Sequence, residues 1–199
     1  MINLNLKNEN GRSMIEMLGV LAIIGVLSVG GIAGYSKAMM KYRINKTIEQ
    51  ITLTAGNVRT FFSSQKNYYD LSTNVIKKAK LVPDEMWNKN VWGGDFLVHP
   101  IPVSGQNKKY FGISIYKIPQ EACIELATYD WSVVSAYAIE VAPTSTTDIS
   151  HYGGGIKGCN SGNDSFGGYL ECNSSNMTLE QAVQYCKNAE VNSITLAIQ

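Results

Sequence analysis

The residues with the clearest chemical consequence lie at the start of an apolar run near the N-terminus. Met17 to Tyr35 is 19 residues without a charge, and the carboxylate of Glu16 stands directly before it. A carboxylate beside hydrocarbon is costly and usually has a partner. Gly11 precedes Glu16 by five residues. Cleavage after Gly11 would create an α-amino group on Arg12, and the amino group of a neighbouring copy would then neutralise Glu16 when the apolar helices pack side by side.

Enzyme chemistry is not expected from the remaining motifs. The chain has no GxSxG, HExxH or Walker pattern. His99 follows a strand-like run and is interpreted as structural, and His151 lies in a loop. The two histidines lack ligand spacing, and no CxxC pair is present. We therefore expect no catalytic residue, no metal site and no cofactor.

One binding alternative involves aromatic residues. A sugar-binding surface would form if four of them met: Tyr68, Tyr69, Trp87 and Trp92. Aromatic side chains are more often used in the core and in packing under loops, because they bury a large apolar area. We favour the packing role.

Composition excludes some classes of protein. The chain has 199 residues, which suits one globular domain with an extension. Its net charge of +1 argues against nucleic-acid binding, which needs a clear basic excess. The cysteines all lie in the second half of the chain: Cys123, Cys159, Cys172 and Cys186. An even number of cysteines in a chain that also has a membrane-targeting segment indicates disulfides and an oxidising compartment.

The apolar run has the length of a membrane span. As a helix, Met17 to Tyr35 would extend roughly 28 Å, about one bilayer core. No A-x-A-like site closes it, so we expect the segment to be retained, and a plain signal anchor is the alternative. It contains several helix-weakening glycines: Gly25, Gly30, Gly31 and Gly34. Gly30 and Gly34 are spaced as in GxxxG, which favours close lateral packing, and local unwinding is a second possibility.

A second helical pattern follows the apolar run without interruption. One apolar stripe is spaced by four, three, four, three and four residues: Ile44, Ile48, Ile51, Ala55, Val58 and Phe62. This spacing predicts an amphipathic helix that continues to about Ser64. A single stripe followed by a strand-rich region favours packing on a sheet, although a coiled-coil partner remains open.

The rest of the chain reads as a mixture of strands and short helices. We predict helices at 74–80, 120–127 and 177–189, the last capped by Thr178 or Asn176. Turns are predicted at 83–86 and at 92–94. Strands are predicted at 96–103, 110–117 and 193–198, and residues 133–141 are a strand or a helix. Ser104 to Lys108 is predicted to be a hairpin loop, and the Gly- and Ser-rich part of 144–176 is predicted to form exposed loops.

The N-terminal pattern resembles that of the type IV pilins. Met1 to Gly11 fits their polar leader, and Glu16 is the fifth residue after the cut; Arg12 stands where the family usually has an apolar residue. The resemblance implies a prepilin peptidase that cleaves between Gly11 and Arg12 and N-methylates Arg12. It also implies that Glu16 guides docking of the subunit into a homo-oligomeric helical filament. The positive-inside rule, applied to Lys7 and Arg12 against the basic residues after the span, favours the opposite topology from the one that the family implies.

Three further segments resemble the PilS-type subfamily of type IVb pilins. They are NYYDLSTNVIKKAKLVPDEMW, NVWGGDFLV and IPQEACIELA. The resemblance implies an α+β pilin fold, with a long N-terminal helix packed on an antiparallel sheet and a final strand inside that sheet. The expected domains are a leader (1–11), a membrane and polymerisation helix (12–36), an amphipathic helix (37–64) and a globular head (65–199).

The resemblance also implies a disulfide pairing and a cellular route. It implies a Cys123–Cys186 bond, which leaves Cys159 with Cys172. The precursor is expected in a bacterial inner membrane with a periplasmic head, and the assembled subunit in an extracellular pilus. Its expected partners are assembly machinery and minor pilins, and the filament would serve adhesion, aggregation or conjugative mating contact. The alternatives are a minor pilin or secretion pseudopilin, and an anchored binding protein that never polymerises.

Overall fold

A computed structural model describes residues 10–65, 67–86, 89–103, 106–143, 162–163, 169–187 and 192–199. The chain divides into two compact units, Met1–Tyr42 and Arg43–Gln199. Helix α1 (Asn10–Phe62) supplies the described part of the first unit and also enters the second. By length and composition it is the one helix among the described residues that is apolar enough to cross a membrane, with a window of mean hydropathy 2.2.

The second half of α1 has the predicted amphipathic stripe. Ile44, Ile51, Ala55 and Val58 are each at most 1% exposed, and Phe62 is 3% exposed. The helix ends at Phe62, two residues before the predicted end at Ser64. Burial of one apolar face, with charged residues on the others, explains why this part of the helix belongs to the second unit.

The described part of the second unit contains three further α-helices and six strands. The helices are α2 (Thr73–Lys78), α3 (Gln120–Thr128) and α4 (Leu179–Tyr185), with short 3₁₀ turns at Asp84–Met86 and Trp131–Val134. The strands are β1 (Phe96–Val103), β2 (Gln106–Ile118), β3 (Ala136–Ala142), β4 (Gly162–Asn163), β5 (Tyr169–Cys172) and β6 (Asn192–Ile198).

The six strands form one antiparallel sheet in the order β1-β2-β6-β3-β5-β4. The predicted final strand is therefore confirmed, and it lies between β2 and β3. A run of aromatic rings joins α1 to the sheet: Phe62 is 5.5 Å from Tyr68, and Tyr68 is 4.8 Å from Phe111 of β2, between ring centroids. This is the pilin-type arrangement that was expected, with a long helix packed on an antiparallel sheet.

Several predicted boundaries were wrong, and contacts with other residues explain two of them. The loop predicted over Ser104 to Lys108 is shorter, because β2 already begins at Gln106 and pairs there with Val103. The last helix was predicted to reach Ala189, yet it ends at Tyr185 with Cys186 as its C-cap. The side chain of Asn192 bonds to the residue after this C-cap, accepting from the Lys187 amide at 2.8 Å and donating to the Lys187 carbonyl at 2.9 Å.

The alternative of an aromatic sugar-binding surface is not supported by the described residues. Trp92 donates from Nε1 to Thr47 Oγ1 at 3.0 Å, whereas the Tyr68 ring packs on Phe62. Thr47 and Phe62 are 15 residues apart on one helix, so about 22 Å of helix separates the contact of Trp92 from the contact of Tyr68. Tyr69 is exposed, and Trp87 lies outside the described residues.

Candidate assembly site

Among the described residues, the apolar surface of the first unit is exposed. Its large apolar side chains between Met14 and Tyr35 are all between 52% and 75% exposed. The most apolar window of this helix has 0% of its residues buried. Exposing so many large apolar side chains to water is unfavourable, because burial of each contributes about 1.5–3 kcal/mol. This surface therefore requires a bilayer or other protein against it.

Glu16 lies at one end of this surface. It is exposed on α1, one helical turn after Arg12 by sequence spacing. Gly11 and Arg12 lie in the first turns of the same helix, which begins at Asn10. The predicted cleavage position, the predicted new terminus and the acid thus all belong to one end of one helix.

The glycines of the apolar segment are not required by the chain's own packing. A Cβ atom built at any of four positions would meet no other atom within 4 Å: Gly25, Gly30, Gly31 and Gly34. Glycine costs about 1 kcal/mol relative to alanine in a helix. An intramolecular reason for accepting that cost is therefore missing among the described residues, which leaves contacts with other molecules or helix flexibility.

A disulfide closes the C-terminal part of the second unit. Cys123 of α3 is bonded to Cys186, with Cα atoms 5.8 Å apart and a sequence separation of 63 residues. In the chain-entropy picture a loop of this size contributes about 4 kcal/mol to stability. Cys172 is also disulfide-bonded, and Cys159 lies outside the described residues.

Helices α3 and α4 are joined by further contacts near that disulfide. Gln120 donates from its amide to the Cys186 carbonyl at 2.9 Å. Thr178, one of the two predicted caps, forms a capping box with Gln181 at the start of α4. Outside the helices, the Ser132 amide donates to Asp130 at 3.0 Å and the Ser175 hydroxyl donates to it at 2.7 Å, and these bonds lower the pKa of Asp130. The exposed face of α4 carries an apolar pair one turn apart, Leu179 and Val183.

A loop before β1 holds the start of the amphipathic part of α1. Trp92 bonds to Thr47, and the guanidinium carbon of Arg43 lies 5.9 Å from the centre of its ring. Asn90 organises this loop: its side-chain amide donates to the carbonyls of Asp95 and Tyr116. Its oxygen accepts from the amides of Trp92 and Gly94 at 2.9 and 3.0 Å.

Sequence reasoning missed the positioning roles of Asn90 and Arg59. Asn90 stands two residues before the Trp92 turn, and an asparagine in that place commonly bonds to the backbone two residues on, so this signal was available. Arg59 is the basic residue of the last turn of α1. Its bonding partners lie 75 and 140 residues away, and no local pattern indicates them.

The histidines do not form a metal site within the described part of the chain. No group of three or more potential ligands occurs there. His99 lies against Gly112, where an added Cβ would be 2.6 Å from Nε2, and burial lowers the pKa of His99 to about 4. His151 lies outside the described residues. The arrangement of His99 fits the structural role expected for it.

Known proteins resemble this chain over most of its length. The sequence matches the PilS family (PilS N terminal) over residues 41–199. It is 25% identical over 201 residues to the major structural subunit of bundle-forming pilus from Escherichia coli O111:H-, covering 96% of this chain and 95% of that protein. The same subunit from Escherichia coli O127:H6 (strain E2348/69 / EPEC) is 25% identical over 203 residues, with 96% and 95% covered. The fold is similar to that of TcpA, a type IV pilin from Vibrio cholerae El Tor biotype, with a TM-score of 0.57, 15% identity and coverage of 79% and 99%.

Proposed function

Because the chain belongs to the PilS family of type IVb pilins, we propose that it is the major structural subunit of a type IV pilus and polymerises through its N-terminal helix into a surface filament. Two relatives of nearly equal length are named major structural subunits of a pilus, which supports the major rather than the minor role. A structural pilin needs no catalytic site. Its mechanism is assembly.

The observation that carries this proposal is the uncovered apolar surface between Met14 and Tyr35. Before assembly the bilayer covers it, with the precursor in the inner membrane and the head in the periplasm. In the filament, the same surfaces of other copies replace the lipid. The Cys123–Cys186 bond supports an oxidising location for the head.

Docking depends on a charge pair that forms only after processing. The prepilin peptidase removes residues 1–11 by cutting after Gly11 and methylates the new amino group of Arg12. In the filament, the carboxylate of Glu16 in one copy accepts a hydrogen bond from this amino group of a neighbour, which brings opposite charges together in apolar surroundings. Assembly machinery and minor pilins then add the subunit.

Close helix contact accompanies this pairing. The glycines at 25, 30, 31 and 34 have open space around them, and small residues let apolar helices approach closely. Their weak helix propensity also permits local unwinding as the subunit leaves the membrane. Between Cys159 and Cys172, the predicted loops on either side of β4, which lie outside the described residues, would face outward and serve adhesion, aggregation or mating contact.

Mass spectrometry of filaments sheared from cells tests the proposal. The expected chain begins at Arg12 and carries one added methyl group, and replacement of Gly11 prevents the mass change. A chain that keeps residues 1–11 and is absent from sheared material would point to an anchored protein that does not polymerise. Presence in trace amounts beside another subunit would point to a minor pilin or a pseudopilin.

The Glu16→Ala variant tests the charge pair. Losing a charged hydrogen bond of about 1.5–3 kcal/mol corresponds to at least a tenfold fall in docking. We expect filament yield to fall while membrane insertion is unchanged. Glu49→Ala is the matched control, because Glu49 is an exposed acid of the same helix whose bond to Lys46, at 3.4 Å, contributes little. Normal filaments from Glu16→Ala would refute the docking role.

A further inference from the structure

The two edges of the sheet differ greatly in length. The edge strand β4 has two residues, whereas β1 at the other edge has eight. A long edge strand presents unpaired backbone N–H and C=O groups, to which a strand of another molecule can pair. This hazard is greatest for a protein whose copies are held side by side at high local concentration.

The ladder between β1 and β2 shows which backbone groups of β1 face that edge. Tyr116 donates its amide to the carbonyl of Asp95 at 3.1 Å, so this pair is hydrogen-bonded. Phe96 then opposes Ile115, and the register continues without a break to Ile101. Hydrogen-bonded and non-hydrogen-bonded pairs alternate in an antiparallel ladder. Residues 97, 99 and 101 therefore bond to β2, and the backbone groups of residues 96, 98 and 100 face the open edge.

Pro100 occupies one of these outward positions. It opposes Phe111 in a non-hydrogen-bonded pair, so its missing N–H removes no bond between β1 and β2. It removes only a donor from the open edge. Pro102 follows where the register shifts between Ile101 and Val103, and it also has no N–H. Among the outward positions 96, 98 and 100, the open edge therefore lacks the donor of residue 100.

We propose that Pro100 prevents β1 from pairing with a strand of a second copy of this chain, so that the heads associate through side chains and not through a continued sheet. The proposal rests on the proposed function in one respect, because the crowding of heads that makes this protection necessary would arise in the filament. The protection itself is a property of the edge and acts in any concentrated preparation.

The Pro100→Val variant of the full-length chain tests this proposal. Valine restores the outward N–H and adds a residue of high β-propensity. Detergent-solubilised protein should show a rise of about fivefold or more in thioflavin T fluorescence and in SDS-resistant oligomers. Thermal unfolding of both proteins is measured alongside, so that aggregation through simple loss of stability can be recognised.

Val98→Ala is the matched control in the same strand. Val98 is 7% exposed, so its truncation destabilises the fold while every backbone donor of β1 stays as it was. Equal aggregation of Val98→Ala and Pro100→Val would overturn the proposal, as would Pro100→Val behaving like the parent chain. Filament formation by the unsubstituted protein is measured separately. If that protein forms no filaments, the proposed function is contradicted, whereas the aggregation result for the β1 edge is unaffected.

Discussion

The guanidinium of Arg59 donates from Nε to the main-chain oxygen of Gln199 at 2.8 Å, across 140 residues of sequence. The same guanidinium donates from Nη2 to the carbonyl of Val134. One side chain in the last turn of α1 therefore holds both the residue after β6 and the 3₁₀ turn before β3. These two strands are neighbours in the sheet.

Replacing Arg59 by methionine should destabilise the head. Methionine keeps much of the apolar stem and removes both hydrogen bonds from a charged donor, which together contribute about 2–3 kcal/mol. The measurement is chemical denaturation of the full-length protein in detergent. Lys46→Met is the control, because the exposed Lys46–Glu49 pair should contribute less than about 0.5 kcal/mol. Equal effects of the two substitutions would contradict the anchoring role of Arg59.

Two glycines of the second unit should respond oppositely to alanine. A Cβ at Gly94 would overlap with the main-chain oxygen of Tyr116, so Gly94→Ala must displace the loop from β2 and should cost about 1–3 kcal/mol. A Cβ at Gly56, exposed on α1, would meet nothing within 4 Å, so Gly56→Ala should stabilise by about 0.5–1 kcal/mol. Unfolding midpoints of both variants give the comparison. A neutral Gly94→Ala would disprove the close approach.

Lys80→Gly should stabilise the protein. Lys80 has φ of 51°, and it follows α2 in a motif in which the Leu81 amide donates to the Ile76 carbonyl at 3.1 Å. Glycine adopts this left-handed conformation without strain, and we expect a gain of about 0.5–1 kcal/mol. Thermal unfolding measures it. Lys80→Ala controls for loss of the side chain, and an equal gain from alanine would show that backbone conformation is not the cause.

Stability of the head should rise with pH over the range in which His99 titrates. Burial lowers the pKa of His99 from 6.5 to about 4. Between these values the unfolded chain binds a proton that the folded chain does not, so the free energy of unfolding increases with pH and levels off above about 6.5. The full span corresponds to about 3 kcal/mol. Denaturation from pH 4 to 7.5 measures it, and His99→Gln should remove this part of the slope; an unchanged slope would contradict the assignment.

Local sequence patterns predicted the helices and strands, whereas contacts between residues distant in sequence decide where these helices and strands begin and end. The stripe from Ile44 to Phe62 and the strand at 96–103 follow from periodicity, and both are found in the structure. Gln106 begins a strand despite its polar neighbours, because pairing with Val103 outweighs composition. The last helix ends early at Tyr185, where Cys186 is bonded to Cys123 and the Lys187 amide donates to the side chain of Asn192. These contacts depend on residues 5 to 63 positions away and are not encoded in the helical pattern itself.

The residues of the candidate site also fall into two groups, those that the sequence predicts and those that only the structure reveals. Glu16, Gly11 and the glycines are defined by spacing near the N-terminus, so sequence alone predicts them, and their roles stay predictions. The hydrogen bond from Trp92 to Thr47 joins residues 45 positions apart, and the hydrogen bond from Arg59 to Gln199 joins residues 140 positions apart. Such pairings depend on the completed sheet, and a single sequence does not show them.

The position of β6 has a consequence for how the head is made. This strand comes last in chain order, yet it is the one that joins β1-β2 to β3-β5-β4. Until residues 192–198 have been translated, the earlier described strands can form only two half-sheets, each with an unpaired edge strand. Completion of the sheet therefore waits for β6, and a nascent chain stalled before residue 192 should be an easy substrate for proteases and chaperones.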